Sequence, residues 1–293
     1  MEEEKNIKGK ALYTTKGAAR EYGRIGCNFY TGCPHECKYC YLKRGAPSKQ
    51  LGGTEVRLKK CFKDEQHAAD TLCKELEANL EQCQKYGIFL SFTTDPMISE
   101  TRELTLSAIC QTLLHDVPVF ILTKNAEFVN NDTFMIWMEC IKAEYKHLVH
   151  FGFTLTGCDF LEPKASPNLE RIKAMRKMKE MGFTTFASIE PVIDWASSEQ
   201  MVKEAIPWCD HFKLGLMSGT KKDYYDIRES GSAIRRIVQT VNSHNKTIYL
   251  KESTRRLLRQ YLQPGAYEAF LSLTVDMDGK RIKNDYGKAR RTF

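Results

Sequence analysis

The sequence lacks the apolar segments that would place it in or across a membrane. No stretch approaches the ~18 apolar residues of a membrane-spanning helix, and the first residues, MEEEKNIKGK, lack the apolar core of a secretory signal peptide. There is also no internal repeat and no low-complexity segment. Among 293 residues, 42% are hydrophobic and 11% aromatic, which favours a packed core over disorder.

The features of an exported, disulfide-stabilised protein are missing as well. The eleven cysteines are an odd number, and no signal peptide directs them to an oxidising compartment. We therefore expect free thiols together with a bound metal or cluster, and a cytoplasmic location without a membrane partner.

Acidic residues are scarce in the last quarter of the chain. Residues 213–293 contain 17 Lys and Arg against 8 Asp and Glu, a balance of +9, whereas residues 1–212 contain 27 against 29, a balance of −2. A basic segment can bind nucleic acid. The alternative is a solvated helix face followed by a basic tail with Lys288, Arg290 and Arg291, and no nucleic-acid motif favours the first interpretation.

Three cysteines lie close together, with three and two residues between them. They are Cys33, Cys37 and Cys40 in the run Cys33-Pro34-His35-Glu36-Cys37-Lys38-Tyr39-Cys40. Three thiolates on one loop can hold three irons of a [4Fe–4S] cube. No fourth cysteine follows nearby, so the remaining iron would keep an open position for a small chelating cosubstrate.

A zinc site is the alternative interpretation of this loop. The spacing from Cys33 to Cys37 is longer than the two-residue spacing of most zinc modules, and no second Cys/His pair follows at zinc-ribbon distance. Cys27, six residues upstream, is expected to be a core thiol rather than a fourth ligand. His35 is expected to cap the loop. The alternatives are a metal ligand or a hydrogen-bond donor to a metal ligand.

Short apolar runs alternate with segments of helical periodicity along the chain. The runs span 87–94, 117–124, 148–155, 184–191, 211–216 and 247–251, and one more at 24–29 leads into the cysteine loop. Such runs are typical of strands that are buried on both faces. Helices are predicted over 64–85 and 167–181, the second ended by Gly182, and Asp132 and Ser198 are predicted N-caps of two others.

This alternation predicts parallel strands joined by right-handed crossovers. We therefore expect an α/β fold, a partial (open) parallel β/α barrel of about six strands in residues 1–220, with a basic α/β extension in 221–293. The chemistry of such a sheet lies at the carboxyl ends of its strands. Polar residues accumulate at the predicted ends, namely Cys33, Thr94, Asp95, Lys124, Thr154, Thr156, Glu190 and Ser218.

The cysteine spacing resembles the cluster loop of radical S-adenosylmethionine (SAM) enzymes, and further pieces resemble their spore photoproduct lyase group, often described as DNA-repair-photolyase-like. These pieces are Thr31-Gly32-Cys33, Cys37-Lys38-Tyr39-Cys40-Tyr41, Thr93-Thr94-Asp95-Pro96, Ile121-Leu122-Thr123-Lys124, Phe153-Thr154, Leu161-Glu162-Pro163, Pro167, Glu170-Arg171 and Ile189-Glu190-Pro191-Val192-Ile193. They cover roughly residues 24–220. The cysteine loop alone is specific only to the superfamily, and the other pieces, in this order, are more specific to the group.

The resemblance implies a [4Fe–4S] cluster and SAM as cofactors, with the metal ligands Cys33, Cys37 and Cys40. Lys124 matches the position that binds the SAM carboxylate, and Thr154 matches a hydroxyl-bearing position that contacts SAM. Thr94 and Asp95 match the turn where these enzymes commonly bind the methionyl amino group. The plain structural alternatives are a surface lysine, a strand threonine and a turn built by Asp95 and Pro96.

Tyr39 and Tyr41 flank the last cysteine, and the resemblance implies that they pass a hydrogen atom. The alternative is that the two rings shield the cluster from water. In spore photoproduct lyase, a cysteine just before the segment that matches Thr93-Thr94-Asp95 donates hydrogen to the product radical. Phe92 stands at that position here, so thymine-dimer repair is not expected.

Three functions are therefore compared. The first is a radical SAM enzyme that cleaves SAM to a 5′-deoxyadenosyl radical, with a reductant such as flavodoxin or ferredoxin and a substrate that the sequence does not identify. The second is an iron–sulfur electron carrier or sensor without SAM chemistry. The third is a zinc-stabilised nucleic-acid-binding module that uses the basic last quarter. We expect the first, with a nucleic-acid substrate as one option.

Overall fold

The computed structural model describes residues 5–43, 48, 51–219 and 224–283, so the basic tail residues Lys288, Arg290 and Arg291 lie outside the described residues. The strands are β1 Leu12–Thr14, β2 Ile25–Cys27, β3 Tyr30–Thr31, β4 Arg57–Leu58, β5 Ile88–Leu90, β6 Val119–Thr123, β7 Val149–Thr154, β8 Thr184–Val192, β9 His211–Leu216 and β10 Thr247–Leu250. The helices are α1 Glu65–Ala78, α2 Leu80–Tyr86, α3 Arg102–Leu114, α4 Asp132–Cys140, α5 Asn168–Glu180, α6 Trp195–Ala205, α7 Ile227–Ser243, α8 Glu252–Tyr261 and α9 Pro264–Leu271. Within these ranges, no helix has the length and apolar character needed to cross a membrane.

The main sheet has eight strands in the order β1-β2-β5-β6-β7-β8-β9-β10, and β3 pairs with β4 separately. β1 is antiparallel to β2, whereas β2, β5, β6 and β7 pair in parallel, as do β8, β9 and β10. The predicted α/β fold with an open, mainly parallel sheet is confirmed. Every predicted apolar run contains a strand. The main sheet also contains β1, which was not predicted. This strand has only three residues and is too short to show a periodicity.

The first of two compact units comprises Met1–Phe153 and Asp159–Thr185. Five of its phenylalanines pack together, with ring centroids 5.3 to 6.5 Å apart between neighbours. Each is less than 2% exposed, and they are Phe128, Phe134, Phe151, Phe153 and Phe183. Aromatic side chains bury large areas and favour these offset and edge-to-face geometries, so this cluster supports β7 and the strand end after β6.

The second unit comprises Thr154–Cys158 and Phe186–Phe293. Its longest described helix is α7, and Asp226 caps the N-terminus of this helix. The Asp226 carboxylate accepts hydrogen bonds from the backbone N–H groups of Arg228 and Glu229. Ile234, Ile237 and the other buried residues of α7 recur every three or four positions on one face. These units do not divide at residue 220, and the predicted boundary between 1–220 and 221–293 stays a prediction. Strand β10, from the predicted extension, pairs in parallel with β9.

Three sequence expectations about helices need correction. Asn131, not Asp132, caps α4, and its side chain accepts a hydrogen bond from the N–H of Phe134. Asp194 caps α6, while the predicted cap Ser198 lies in the first turn and donates to the Asp194 carbonyl. The helix predicted over 64–85 is interrupted at Asn79, which has non-helical dihedral angles. Asn and Asp both cap helices well, so pattern alone does not choose between neighbours.

Candidate functional site

The cysteine loop begins at a turn that requires glycine. Gly32 has a φ of +83°, and a Cβ at this position would collide with the backbone carbonyl of Glu55. At the end of the loop, the N–H of Cys40 donates to the carbonyl of Cys37 over 3.2 Å. The Cys37 side chain is buried, Cys33 and Cys40 are half-buried, and all three thiols are free. The three thiols therefore lie on one ordered loop.

A second segment of the same unit packs on this loop through several hydrogen bonds. The N–H of Lys38 donates to the carbonyl of Leu161 over 2.9 Å. The N–H of Lys164 donates to the carbonyl of His35, whose Nδ1 in turn lies 3.1 Å from the Lys164 carbonyl. The Lys164 ammonium also pairs with Glu36. The chain after β7 thus fixes the conformation of the cysteine loop.

Asp95, which follows β5, connects this loop to the ends of two strands. One carboxylate oxygen lies 2.7 Å from Nε2 of His35 and accepts from the N–H of Lys124, also over 2.7 Å. The other oxygen accepts from Thr123 Oγ1 over 2.7 Å and from the N–H of Met97 over 2.9 Å. Burial by itself would raise the pKa of Asp95, but His35 and these donors lower it to about 2. Both ring nitrogens of His35 lie within hydrogen-bond distance of an oxygen, Nδ1 of the Lys164 carbonyl and Nε2 of the Asp95 carboxylate.

Thr94 contributes a buried hydroxyl that makes no hydrogen bond to any other described residue. Its side chain is 8% exposed, and Oγ1 has no hydrogen-bond partner among the described residues. The neighbouring Thr93, equally buried, donates to the Tyr30 carbonyl over 2.5 Å. Buried hydroxyls are nearly always hydrogen-bonded in native proteins. The Thr94 hydroxyl is therefore a candidate contact for a polar ligand.

Lys124, at the end of β6, presents a second unused polar group. Among the described residues, its ammonium makes no hydrogen bond or ion pair, and Nζ lies 5.6 Å from the centroid of the Tyr39 ring. Burial lowers the pKa of Lys124, but Cys37 and Glu162 outweigh it, and the net shift is upward. The side chain is therefore a half-buried ammonium with a ring on one side and capacity for an anionic partner.

Tyr39 is held by a buried ion pair. Its hydroxyl donates to Glu162, and Glu162 lies 2.7 Å from the guanidinium of Arg171, with both charged side chains fully inaccessible to solvent. Burial acts to raise the pKa of Glu162, but Arg171 and Lys124 lower it overall. Burial, together with the Glu162 charge, raises the pKa of Tyr39. Glu162 and Arg171 thus form an ion pair that supports the cysteine loop through Tyr39.

Tyr41 lies on the other side of Cys40 and is mostly exposed. Its hydroxyl donates to the backbone carbonyl of Phe92. The Phe92 ring stacks on Phe89 with centroids 4.7 Å apart, and its N–H donates to Asn28. The residue at the position of the lyase cysteine is thus an aromatic packing residue. The hydrogen-transfer role of Tyr39 and Tyr41 stays a prediction.

The cysteine thiols would have to lose their protons to bind a metal. Burial raises the pKa of Cys33 to about 12, with Asp95 adding to the effect, and burial also raises the pKa of Cys37. Metal binding to such thiols releases protons. Among the described residues, no three His, Cys, Asp or Glu side chains converge on the position of a single metal ion. A [4Fe–4S] cube would place each of the three cysteines on a different iron.

Cys27 does not belong to this arrangement, and a cavity lies beside the cysteine loop. Cys27 is a fully buried residue of β2, and burial raises the pKa of its thiol. A cavity of about 720 Å³ opens beside Pro34 and His35 and extends to Asn125. The three loop cysteines, Thr94 and Lys124 do not line this cavity. The candidate site therefore consists of the cysteine loop and the ends of β5 and β6.

Thr154 and Glu190 belong to the second unit. Thr154, at the end of β7, is 4% exposed. Glu190 on β8 pairs with the Lys251 ammonium over 2.6 Å. Gly215 lies beside this pair, and a Cβ there would be 2.7 Å from the Glu190 carboxyl carbon. The role of Thr154 in SAM binding stays a prediction.

The first unit brings most of the predicted site residues together. Cys33, Cys37 and Cys40 are joined to Asp95 through His35, and Thr94 and Lys124 are attached to the same strand ends. The sequence interpretation of His35 as a loop cap missed its bond to Asp95. A buried ion pair with Asp95 has no local sequence signal, because the two residues are 60 positions apart.

Comparison with solved structures finds radical SAM enzymes. A spore photoproduct lyase with one cysteine replaced by serine matches with a TM-score of 0.61 at 14% identity, over 84% of this chain and 81% of the lyase. A lyase variant bound to dinucleoside spore photoproduct matches with 0.53 at 16% identity, over 78% and 62%. SuiB of Streptococcus suis bound to S-adenosylmethionine matches with 0.52 at 13% identity, over 80% and 51%. No family model and no curated protein matches the sequence.

These matches establish the fold. The chain has the fold of radical SAM enzymes, and the resemblance seen in the sequence is confirmed at that level. The chain spans less than two thirds of the lyase that carries dinucleoside spore photoproduct, and about half of SuiB. The activities, ligands and partners of those proteins therefore enter only as proposals.

Proposed function

We propose that this protein is a radical SAM enzyme. It holds a [4Fe–4S] cluster on Cys33, Cys37 and Cys40, binds SAM beside it and uses the 5′-deoxyadenosyl radical to remove a hydrogen atom from its substrate. When bound, the cluster supplies the electron that cleaves SAM. A one-electron donor such as flavodoxin or ferredoxin in a reducing cytoplasm is the proposed source of that electron.

The main support for this proposal is that Asp95 connects the cysteine loop to the strand ends that present the Thr94 hydroxyl and the Lys124 ammonium. Asp95 bonds to His35 inside the loop and to the backbone of Lys124 at the end of β6. The Thr94 hydroxyl, next to Asp95, is buried and has no hydrogen-bond partner in the part of the chain that the structure describes. A hydroxyl and an ammonium at neighbouring strand ends suit the zwitterionic methionyl part of SAM, which carries one carboxylate and one amino group.

The chain's own residues have distinct proposed tasks. The Lys124 ammonium binds the SAM carboxylate, and the Thr94 hydroxyl contacts the methionyl group. Asp95 does not bind the SAM amino group directly in this proposal, because its carboxylate accepts four hydrogen bonds from the protein. Instead, Asp95 holds the loop and the strand ends at a fixed separation. Thr154 is proposed as a further residue that contacts SAM.

The test is SAM binding to the reconstituted protein. The protein is loaded anaerobically with iron and sulfide, and the EPR spectrum of the reduced cluster is recorded with and without SAM. We expect the spectrum to change in the unmodified protein. Lys124→Ala should retain the cluster and bind SAM about 10- to 100-fold more weakly, because a charge-assisted hydrogen bond is lost. An unchanged spectrum would favour an electron carrier or sensor.

A further inference from the structure

Lys124 contacts a tyrosine ring whose hydroxyl is bound to a buried carboxylate. The Lys124 ammonium lies over the Tyr39 ring. The hydroxyl of the same tyrosine donates a hydrogen bond to the Glu162 carboxylate. The same carboxylate lies 2.7 Å from the guanidinium of Arg171. Tyr39 therefore contacts the Lys124 ammonium through its ring and the Glu162 carboxylate through its hydroxyl.

The ion pair behind Tyr39 is unusually enclosed. The side chains of Glu162 and Arg171 are both 0% exposed, and Arg171 heads the largest fully buried side chains of the described chain. A buried charge needs a partner, so Glu162 and Arg171 require each other. The pair consequently gives the Tyr39 hydroxyl an acceptor with a fixed position.

Arg171 also reaches Lys124 by a second route, through the backbone. Its Nε donates to the carbonyl of Ser166 over 2.7 Å, and the N–H of Ser166 donates to the carbonyl of Lys124 over 3.1 Å. The Ser166 hydroxyl accepts from the N–H of Ala126, two residues beyond the lysine. One arginine on α5 therefore fixes both the backbone of Lys124 and the ring beneath its ammonium.

We propose that Tyr39, Glu162 and Arg171 form a positioning device for Lys124, in which the bond to Glu162 holds the Tyr39 ring in place against the ammonium. The lysine then stays available to an external carboxylate. This inference rests on the proposed function, because the carboxylate it serves is that of SAM. Tyr39 acts through Lys124 and is a positioning residue in this proposal, which differs from hydrogen transfer and from shielding of the cluster.

A double-mutant cycle on SAM affinity tests the device. Tyr39→Phe keeps the ring and removes only the hydroxyl that bonds to Glu162. In the reconstituted protein we expect Tyr39→Phe to weaken SAM binding about 3- to 10-fold, the loss typical of one hydrogen bond. In the Lys124→Ala background, the same substitution should have no further effect. Tyr86→Phe, on α2, is the matched control and should bind SAM like the unmodified protein.

The outcomes separate this inference from the function it rests on. Independent, additive losses from Tyr39→Phe and Lys124→Ala would overturn the positioning role. Loss of cluster iron in Tyr39→Phe would also overturn it, since the hydroxyl would then serve the cluster. If the unmodified protein shows no SAM binding, the proposed function fails instead. If it binds SAM and Tyr39→Phe binds equally well, only the positioning device fails.

Discussion

The Nε2 atom of His35 lies 2.7 Å from a carboxylate oxygen of Asp95, and both side chains are buried. His35 stands between two cysteines of the loop, and Asp95 follows β5. This single contact joins the cysteine loop to the carboxyl edge of the sheet. Because Asp95 also accepts hydrogen bonds from Thr123 and from the backbone of Lys124, it fixes the loop relative to β6 as well.

Asp95→Asn should destabilise the protein in a pH-dependent manner. The pKa of Asp95 is lowered to about 2 in the folded protein, so its ionised form stabilises the fold by about 2 kcal/mol at neutral pH. That contribution is complete above the ordinary aspartate pKa of roughly 4 and is lost as the pH falls through about 2. Urea unfolding of the cluster-free protein should show a difference between the two proteins that shrinks from pH 4 to pH 2.

Asp70→Asn is the matched control for this experiment. Asp70 is exposed and accepts a hydrogen bond from Gln66 on the same helix. We expect its substitution to change the free energy of unfolding by less than about 0.5 kcal/mol at every pH. If Asp95→Asn behaves like Asp70→Asn, the contact between Asp95 and His35 does not hold the loop.

The three loop cysteines should be necessary for the cluster, and Cys27 should not be. We expect each of Cys33→Ala, Cys37→Ala and Cys40→Ala to abolish the visible absorbance after anaerobic reconstitution. Cys27→Ala should keep it, because Cys27 is a fully buried residue of β2. Equal loss of absorbance in Cys27→Ala would indicate a closed four-cysteine site, and SAM would then have no open iron.

Thr94 and Thr93 should respond in opposite ways when replaced by valine. Thr94→Val removes a hydroxyl without a protein partner, so the free energy of unfolding should stay within about 0.5 kcal/mol while SAM affinity falls about 2- to 10-fold. Thr93→Val breaks the bond to the Tyr30 carbonyl and should cost about 1 kcal/mol of stability with less effect on SAM affinity. Calorimetry and urea unfolding measure the two quantities. A shared pattern for both variants would remove Thr94 from the site.

The unmodified protein should cleave SAM without efficient conversion of spore photoproduct to thymine. Lyase-type repair returns a hydrogen atom to the product radical, and a thiol donates one readily. Phe92 occupies that position here and is stacked on Phe89. Incubation of the reduced protein with SAM and spore-photoproduct DNA, followed by chromatography of the nucleosides, measures both products. Stoichiometric repair would show that another group, such as Tyr41, donates the hydrogen atom.

The sequence predicted those parts of the fold that depend on local pattern. Buried parallel strands give continuous apolar runs, so β5 to β10 were all located. Gly182 was placed correctly as the end of α5, since its φ of +91° suits glycine. Helix caps were less predictable, because Asn131 and Asp132 are adjacent and both residue types cap well.

In the candidate site, too, the sequence predicts local features but not long-range contacts. The cysteine loop and the polar strand ends are visible in the sequence because their residues are contiguous or follow apolar runs. The contacts between them are not, since His35 meets Asp95 and Tyr39 meets Glu162 across long stretches of chain. The unused Thr94 hydroxyl is likewise a property of packing, and only the structure distinguishes it from Thr93.

The most direct test of the central claim is formation of 5′-deoxyadenosine. The reconstituted, reduced protein is incubated with SAM, with and without candidate DNA or RNA, and the nucleoside is quantified by chromatography. We predict 5′-deoxyadenosine and methionine in equal amounts from the unmodified protein and none from Cys37→Ala. A protein that carries the reduced cluster but leaves SAM intact under every condition would contradict the assignment as a radical SAM enzyme.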